Sequence, residues 1–170
     1  ALIDLGYDTA PINGSVPTAN ISNVTVLYVS DNNITDLTGI EDFTDLNFLN
    51  CGLNQLTSLD VSNNTALSYF NCQSNQLTSL DVSNNSALEN LWCSSNQLTS
   101  LDIRNGNNTH IVIGVPSGLR SGNNPNLSCI FVDNAAYSTA NWPDIDPNST
   151  FVENEAECAL SVGDNALELD

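Results

Sequence analysis

The sequence predicts an α/β solenoid, and three observations predict it. LTSLDVSNNTALSYFNCQSNQ is followed at once by LTSLDVSNNSALENLWCSSNQ and then by LTSLDIRNGNNTH. Cys51, Cys72 and Cys93 stand 21 residues apart, as do Asn54, Asn75 and Asn96. Leu46, Leu67 and Leu88 keep the same beat. A fixed period of roughly 20 to 29 residues, with Leu and Asn at set places, marks coils that stack. One such coil cannot bury its apolar residues alone, so neighbouring coils share a core.

Aligned columns place strand segments from Val24, Leu46, Leu67, Leu88, Thr109 and Leu127, about six coils within residues 23–135. Each coil is expected to add one short strand to a parallel sheet on the concave face. The convex side is expected to be mostly irregular turns and the hand right-handed. In the first coil the inward columns read Val24, Leu27, Val29, Asn32, Ile34 and Leu37. Asn32, Asn54, Asn75 and Asn96 are read as a ladder that satisfies backbone groups at the turn. Cys51, Cys72 and Cys93 are read as small buried apolar residues, with side chains poorly aimed for bridging. The fifth coil departs from the pattern, with Gly114 in the Cys place and Ser117 in the Asn place.

The ends read as caps. In residues 1–22 a truncated helical cap, ALIDLGYD, stops at Gly6. Residues 136–160 bring Trp142, Pro143, Pro147 and Phe151 to cover the open core, and residues 161–170 form an acidic tail. Cys129 and Cys158 lie outside the cysteine column and are expected to pair, closing a 29-residue step. That pairing implies an oxidising compartment.

The chain of 170 residues has a net charge of −18, with only Arg104 and Arg120 against twenty acidic residues. Such a surface repels phosphate backbones and anionic lipid, so nucleic acid is not an expected partner. It favours cations or basic partners. No apolar run approaches the ~18 residues of a membrane span, so direct membrane insertion is not expected. The chain opens at Ala1 inside what reads as ordered structure, so no signal peptide is visible, and any targeting segment is expected to have been removed or to lie outside this sequence.

NITDLTGIEDFTDLNFLNCGLNQLTSLDVSNNTAL resembles the leucine-rich repeats of secreted bacterial proteins, of the internalin-like kind common in marine Bacteroidetes. ALIDLGYD resembles the end of their N-terminal cap helix. NPNLSCIFVDNAAYSTANWPDIDPNSTF, with Cys158, resembles their C-terminal cap, and DNALELD resembles the lead-in to a sorting region. The resemblance implies a leucine-rich-repeat solenoid on a secreted or surface-displayed bacterial protein, with a binding role and further domains of the parent chain as neighbours.

Catalysis is not expected. His110 is the only histidine and has no nucleophile motif to serve. Asp60, Asp81 and Asp102 recur at one place in successive coils, so they form a row and not the opposed pair a glycosidase needs. That row is read as turn capping, with Ser62, Ser83, Asn63 and Asn84 close by as donors. Calcium is the alternative, although no EF-hand or GGxGxD loop exists. No other cofactor is expected, and zinc lacks a CxxC.

The functional expectation falls on the concave face. Its outward columns read Val26, Phe48, Tyr69, Asn90, Ile111 and Cys129, then Tyr28, Asn50, Asn71, Trp92, Ile113 and Phe131. A third reads Ser30, Gly52, Gln73, Ser94, Val115 and Asp133. Tyr28, Phe48, Tyr69 and Trp92 thus form an aromatic diagonal, with Asn50, Asn71, Gln73 and Asn90 as interleaved amides. Exposed aromatics rimmed by polar groups mark interaction sites, here for an extracellular protein or polysaccharide. Thr57, Thr78 and Thr99 make a hydroxyl row for which ice binding is weighed against ordinary turn chemistry. Asn23, Asn33 and Asn63 begin glycosylation sequons that an Asn-rich chain also forms by chance. The rival functional class is a rigid spacer without a ligand.

Overall fold

The computed structural model describes residues 16–111 and 118–163. The ALIDLGYD cap, Ile113, Gly114, Val115, Ser117 and the tail from residue 164 lie outside the described residues. The strands are β1 (Val26–Tyr28), β2 (Phe48–Asn50), β3 (Tyr69–Asn71), β4 (Ser79–Asp81), β5 (Asn90–Trp92), β6 (Ser100–Asp102), β7 (Leu119–Arg120), β8 (Cys129–Phe131) and β9 (Thr150–Val152). Two helices follow the repeats, α1 (Ala135–Asn141) and α2 (Glu155–Gly163).

Every strand pair is parallel, and the strands form two sheets. One has five strands in the order β1-β2-β3-β5-β7; the other has four in the order β4-β6-β8-β9. The convex side is therefore not mostly irregular turns, as the sequence suggested. The repeats from Leu67 and Leu88 each make two strands, because TSLDV and TSLDI alternate inward and outward residues just as the YFNC and NLWC segments do. Leu80 and Leu101 fill the core from the second sheet while Ser79, Asp81 and Ser100 stay exposed.

Counting by 21 also misplaced the last strands. Thr109 lies in a short 3-10 turn, Asn108–His110, and the fifth rung of the first sheet is β7, with Leu119 beside Leu91 and Arg120 beside Trp92. The segment from Leu127 joins the second sheet instead, with Ile130 beside Leu101 and Phe131 beside Asp102. An insertion between Ile103 and Leu119 lengthens this coil, so Gly118 follows its partner Asn90 by 28 residues. Ile111 is buried, and Cys129 and Phe131 are not on the first sheet at all.

The core is a set of columns running through the coils. Leu27, Leu49, Phe70, Leu91 and Leu119 are in register, and all are buried. Cys51, Cys72 and Cys93 are buried free thiols, and burial pushes Cys51 and Cys93 up to about 12, so they pack as apolar groups.

Each coil must turn sharply after its first-sheet strand. Leu53, Ser74, Ser95 and Asn123 take the left-handed conformation there, with φ of 56°, 55°, 56° and 60°. The next residue is the column asparagine. Asn75 Nδ2 donates to Cys51 O at 3.1 Å and Cys72 O at 3.0 Å, and its Oδ1 accepts from Leu56 N at 3.0 Å. Asn54 and Asn96 repeat this bridge to the preceding coil. Asn124 extends it to the lengthened coil, donating to Cys93 O and Ser121 O and accepting from Leu98 N. Asn32 does not act as a rung: it is exposed, its amide donates to Ser30 O, and its backbone N–H bonds Asn54 Oδ1.

A second asparagine ladder lies at another corner. Asn64 donates to Ile40 O and Phe43 O, and Asn85 to Val61 O and Asn64 O. Its signal was present in the same 21-residue repeat, hidden because Asn63 and Asn84 stand beside these residues.

At the C-terminal end the stack is closed by residues unlike the repeats. Asp146 takes the place of a further ladder residue, its carboxylate accepting from Asn123 N and Asn124 N at 3.0 and 2.5 Å. Trp142 is buried, its ring 5.7 Å from Phe151 and 6.4 Å from Tyr137. Cys129 and Cys158 are disulfide-bonded with Cα atoms 5.8 Å apart, fixing α2 against the second sheet.

Candidate ligand-binding face

The five-stranded sheet positions the predicted aromatics as one continuous strip. Tyr28 meets Phe48 diagonally across β1 and β2, with ring centroids 4.8 Å apart. Phe48 lies opposite Tyr69 in register, and their rings stack at 4.3 Å and an interplanar angle of 2°. Tyr69 then meets Trp92 edge-on at 5.3 Å. The parallel register sets this sequence, because a strand offset of two residues brings diagonal neighbours within reach of large rings.

Tyr28 is 58% exposed, while Phe48, Tyr69 and Trp92 are half-buried by one another. Burial raises the Tyr69 phenol above its usual range, against a smaller lowering by the Asn71 amide, so the phenol stays neutral.

The amides expected as ligand contacts are mostly committed to the backbone. Asn50 Oδ1 accepts from Gly52 N at 3.2 Å, and Asn90 Oδ1 accepts from Gly118 N at 3.0 Å. Asn71 is a correction: it is buried, and its Oδ1 accepts from Gln73 N at 3.0 Å. An Asn two residues before the turn competes for local backbone donors, and that removes it from the surface. Gln73 remains half-exposed beside it.

One residue of the strip was not found from the sequence. Arg120 sits opposite Trp92, its guanidinium 4.5 Å from the ring centroid. A cation over an indole face is favourable. The lengthened fifth coil concealed it, since Arg120 cannot be placed on the strip by a 21-residue count.

Of the carboxylate row, Asp81 and Asp102 lie on the other sheet and Asp60 lies outside any strand. Asp60 Oδ1 accepts from Ser62 N at 2.9 Å and Asp81 Oδ1 from Ser83 N at 2.8 Å. Asp102 accepts from Arg104 N, and the Arg104 guanidinium clamps it at 2.6 to 3.2 Å. Hydrogen bonds from Ser62 lower the Asp60 carboxyl. Each carboxylate thus closes its own turn. Among the described residues no cluster of three His, Cys, Asp or Glu is arranged to hold a metal ion.

The stacked parallel coils, their asparagine and cysteine columns and the closing C-terminal segment define a leucine-rich-repeat solenoid. Residues 22–64 match the family pattern of leucine-rich repeats, in two copies. Among solved structures the chain is similar to the functional domain of InlJ from Listeria monocytogenes, described as including a cysteine ladder. The two are 28% identical with a TM-score of 0.52, over 69% of this chain and 32% of that one. It also matches an internalin, InlF, from the same organism at 23% identity and a TM-score of 0.46, over 80% of this chain and 36% of that one. The chain thus spans about a third of the length of either structure. No curated protein matches the sequence. The fold is that of a leucine-rich-repeat solenoid, similar to the InlJ domain over 69% of this chain. The disulfide fits an oxidising, extracellular setting, and no described helix is long and apolar enough to cross a membrane.

Proposed function

We propose that this domain is an extracellular protein-recognition module of a secreted or surface-anchored bacterial protein of the Bacteroidetes type, binding through the five-stranded face. The observation that carries this is the aromatic strip from Tyr28 to Trp92 on the surface of a rigid sheet. Aromatic anchors at the centre of a surface dominate binding energy at protein interfaces.

A protein partner is favoured over a polysaccharide by the ring geometry. Sugar rings need aromatic faces, whereas Phe48 and Tyr69 lie face to face and cover each other. What the strip offers is ring edges and an apolar ridge, suited to aliphatic or aromatic side chains. The self-packing of the rings also favours a second reading, a spacer whose strip needs no partner. Other domains of the parent chain are then its only neighbours.

The test is a binding screen of secreted proteins and immobilised glycans against wild type and Tyr69→Ala/Trp92→Ala, both with verified fold. Saturable protein binding that falls at least about tenfold in the double variant supports the module, since losing one central anchor costs about 2 kcal/mol or more. Binding absent from both favours the spacer, and binding equal in both moves the site off the aromatic strip. Binding confined to glycans overturns the choice of partner.

A further inference from the structure

Charge is distributed over this molecule in a way its composition hides. Twenty of its residues are acidic, yet from Val26 on β1 to Arg120 on β7 no outward position of the five-stranded sheet is Asp or Glu. The same holds for the residues that follow those strands outward, Ser30, Gly52, Gln73, Ser94 and Gly122. Carboxylates begin only at the margins, with Asp31 after β1, Glu89 before β5, and Asp144. The Asp144 Oδ1 lies 3.0 Å from where a Cβ on Gly122 would stand.

The two arginines differ in the same sense. Arg104 is neutralised, bonding Asp102 at 2.6 Å and Glu155 at 3.3 Å while lying over Phe131 at 4.8 Å. Arg120 is half-exposed, lies over Trp92, and makes no ion pair with a carboxylate among the described residues. In a chain of net charge −18, a guanidinium without such a partner at the end of a carboxylate-free aromatic strip is, among the described residues, the cation left to attract an anion. Its planar fork matches a carboxylate in bidentate fashion, and the indole beneath holds it in place.

We infer that the partner presents an acidic side chain to Arg120, next to apolar side chains that lie along Tyr28, Phe48, Tyr69 and Trp92. The inference rests on the protein-recognition reading and gives it a partner chemistry: an acidic-apolar protein segment, opposite to the basic partner that overall composition suggests. The strip spans five rungs at about 4.8 Å each, or roughly 19 Å between the outer strands. An extended segment of about six residues matches that length.

The probe is a displayed library of random peptides, selected in parallel on the full chain, Arg120→Gln, Arg120→Lys and Tyr69→Ala, each with its melting transition measured. The expected result is that wild type enriches peptides carrying Asp or Glu within a few residues of aromatic or aliphatic side chains. Arg120→Gln weakens these at least about tenfold, as loss of a charged hydrogen bond does, and Arg120→Lys retains part of the binding. Replacing the peptide carboxylate by its amide costs as much on wild type and nothing further on Arg120→Gln, which ties the two groups together.

Enriched peptides that are rich in Lys or Arg, or acid-free peptides that bind Arg120→Gln as well as wild type, overturn the inference. Loss of the acid-free peptides on Tyr69→Ala then leaves the recognition face standing. No enrichment on wild type counts against the recognition face itself, and the inference falls with it.

Discussion

The two sheets are built from one 21-residue unit and share one core, yet their surfaces are opposites. The four-stranded sheet presents Ser79, Asp81, Ser100 and Asp102, each carboxylate bonded to a backbone N–H two residues on. The five-stranded sheet presents Tyr28, Phe48, Tyr69 and Trp92 with Arg120 and no carboxylate. On the first surface the repeat is conserved between coils down to single letters, as in TSLD. On the second, the outward residues differ between most rungs, Asn50 and Asn71 being the repeat, while the inward position stays Leu or Phe. A solenoid holds its inward residues fixed because all coils share them, and it is free to vary a face that touches only an outside partner.

The interior common to both faces is where damage is expected to be greatest. Asn75→Ala removes a buried amide with four hydrogen bonds across two coils; it orphans Leu56 N, while Cys51 O and Cys72 O keep the Asn54 and Asn96 amides as donors. A loss of about 2 kcal/mol is expected in denaturant unfolding, since one orphaned buried donor costs about 1 to 3 kcal/mol. A change below about 1 kcal/mol would mean the ladder is not what joins the two faces.

Acid is expected to act through the carboxylate-bearing sheet. Burial disfavours the charged Asp102 carboxylate, but hydrogen bonds from Arg104 and its charge together outweigh this and hold the group below its ordinary value. A depressed folded pKa contributes stability that is present above the unfolded value near 3.9 and is lost as pH falls through the folded one. Asp102→Asn should therefore cost about 1 kcal/mol at pH 7, a partly exposed pair being screened, and its deficit should vanish at the acid end. Thermal melts at pH 7 and pH 2 measure it. A deficit independent of pH would assign the effect to packing.

Behind the five-stranded face, the cysteine column ends in Ser121, whose buried hydroxyl makes no hydrogen bond among the described residues. Ser121→Cys should stabilise by about 1 kcal/mol, because an unbonded buried hydroxyl is replaced by an apolar thiol. A neutral result in denaturant titration would show that this rung tolerates polarity better than the inner ones.

The smallest effect is expected at the turn between the faces. Leu53 holds φ 56° where Ser74, Ser95 and Asn123 stand in other coils, and it is 55% exposed. Leu53→Asn should raise stability by about 0.5 to 1 kcal/mol, since Asn tolerates the left-handed region and little packing is given up. Unchanged melting would show that Leu53 packing outweighs its backbone strain.

Much of this molecule was legible beforehand. The inward columns, the buried thiols, the asparagine bridge at Asn54, Asn75 and Asn96 and the pairing of Cys129 with Cys158 all follow from periodicity and cysteine position. The aromatic strip was legible too, because strand alternation assigns outward residues directly. What failed was phase and role. Arg120 and Asn124 were lost to the longer fifth coil, Asn71 was put outside when the turn draws it in, and a second sheet was taken for loops.

By itself the sequence determined that coils stack and which residues face the core, because burial recurs with the period of the chain. Only the tertiary structure decided which surface residues become neighbours. Trp92 and Arg120 meet across the sheet, Phe48 and Tyr69 close on each other's faces, and Asp146 caps a turn over 20 residues away. Those contacts depend on register and on insertions between coils, and a local pattern does not carry either.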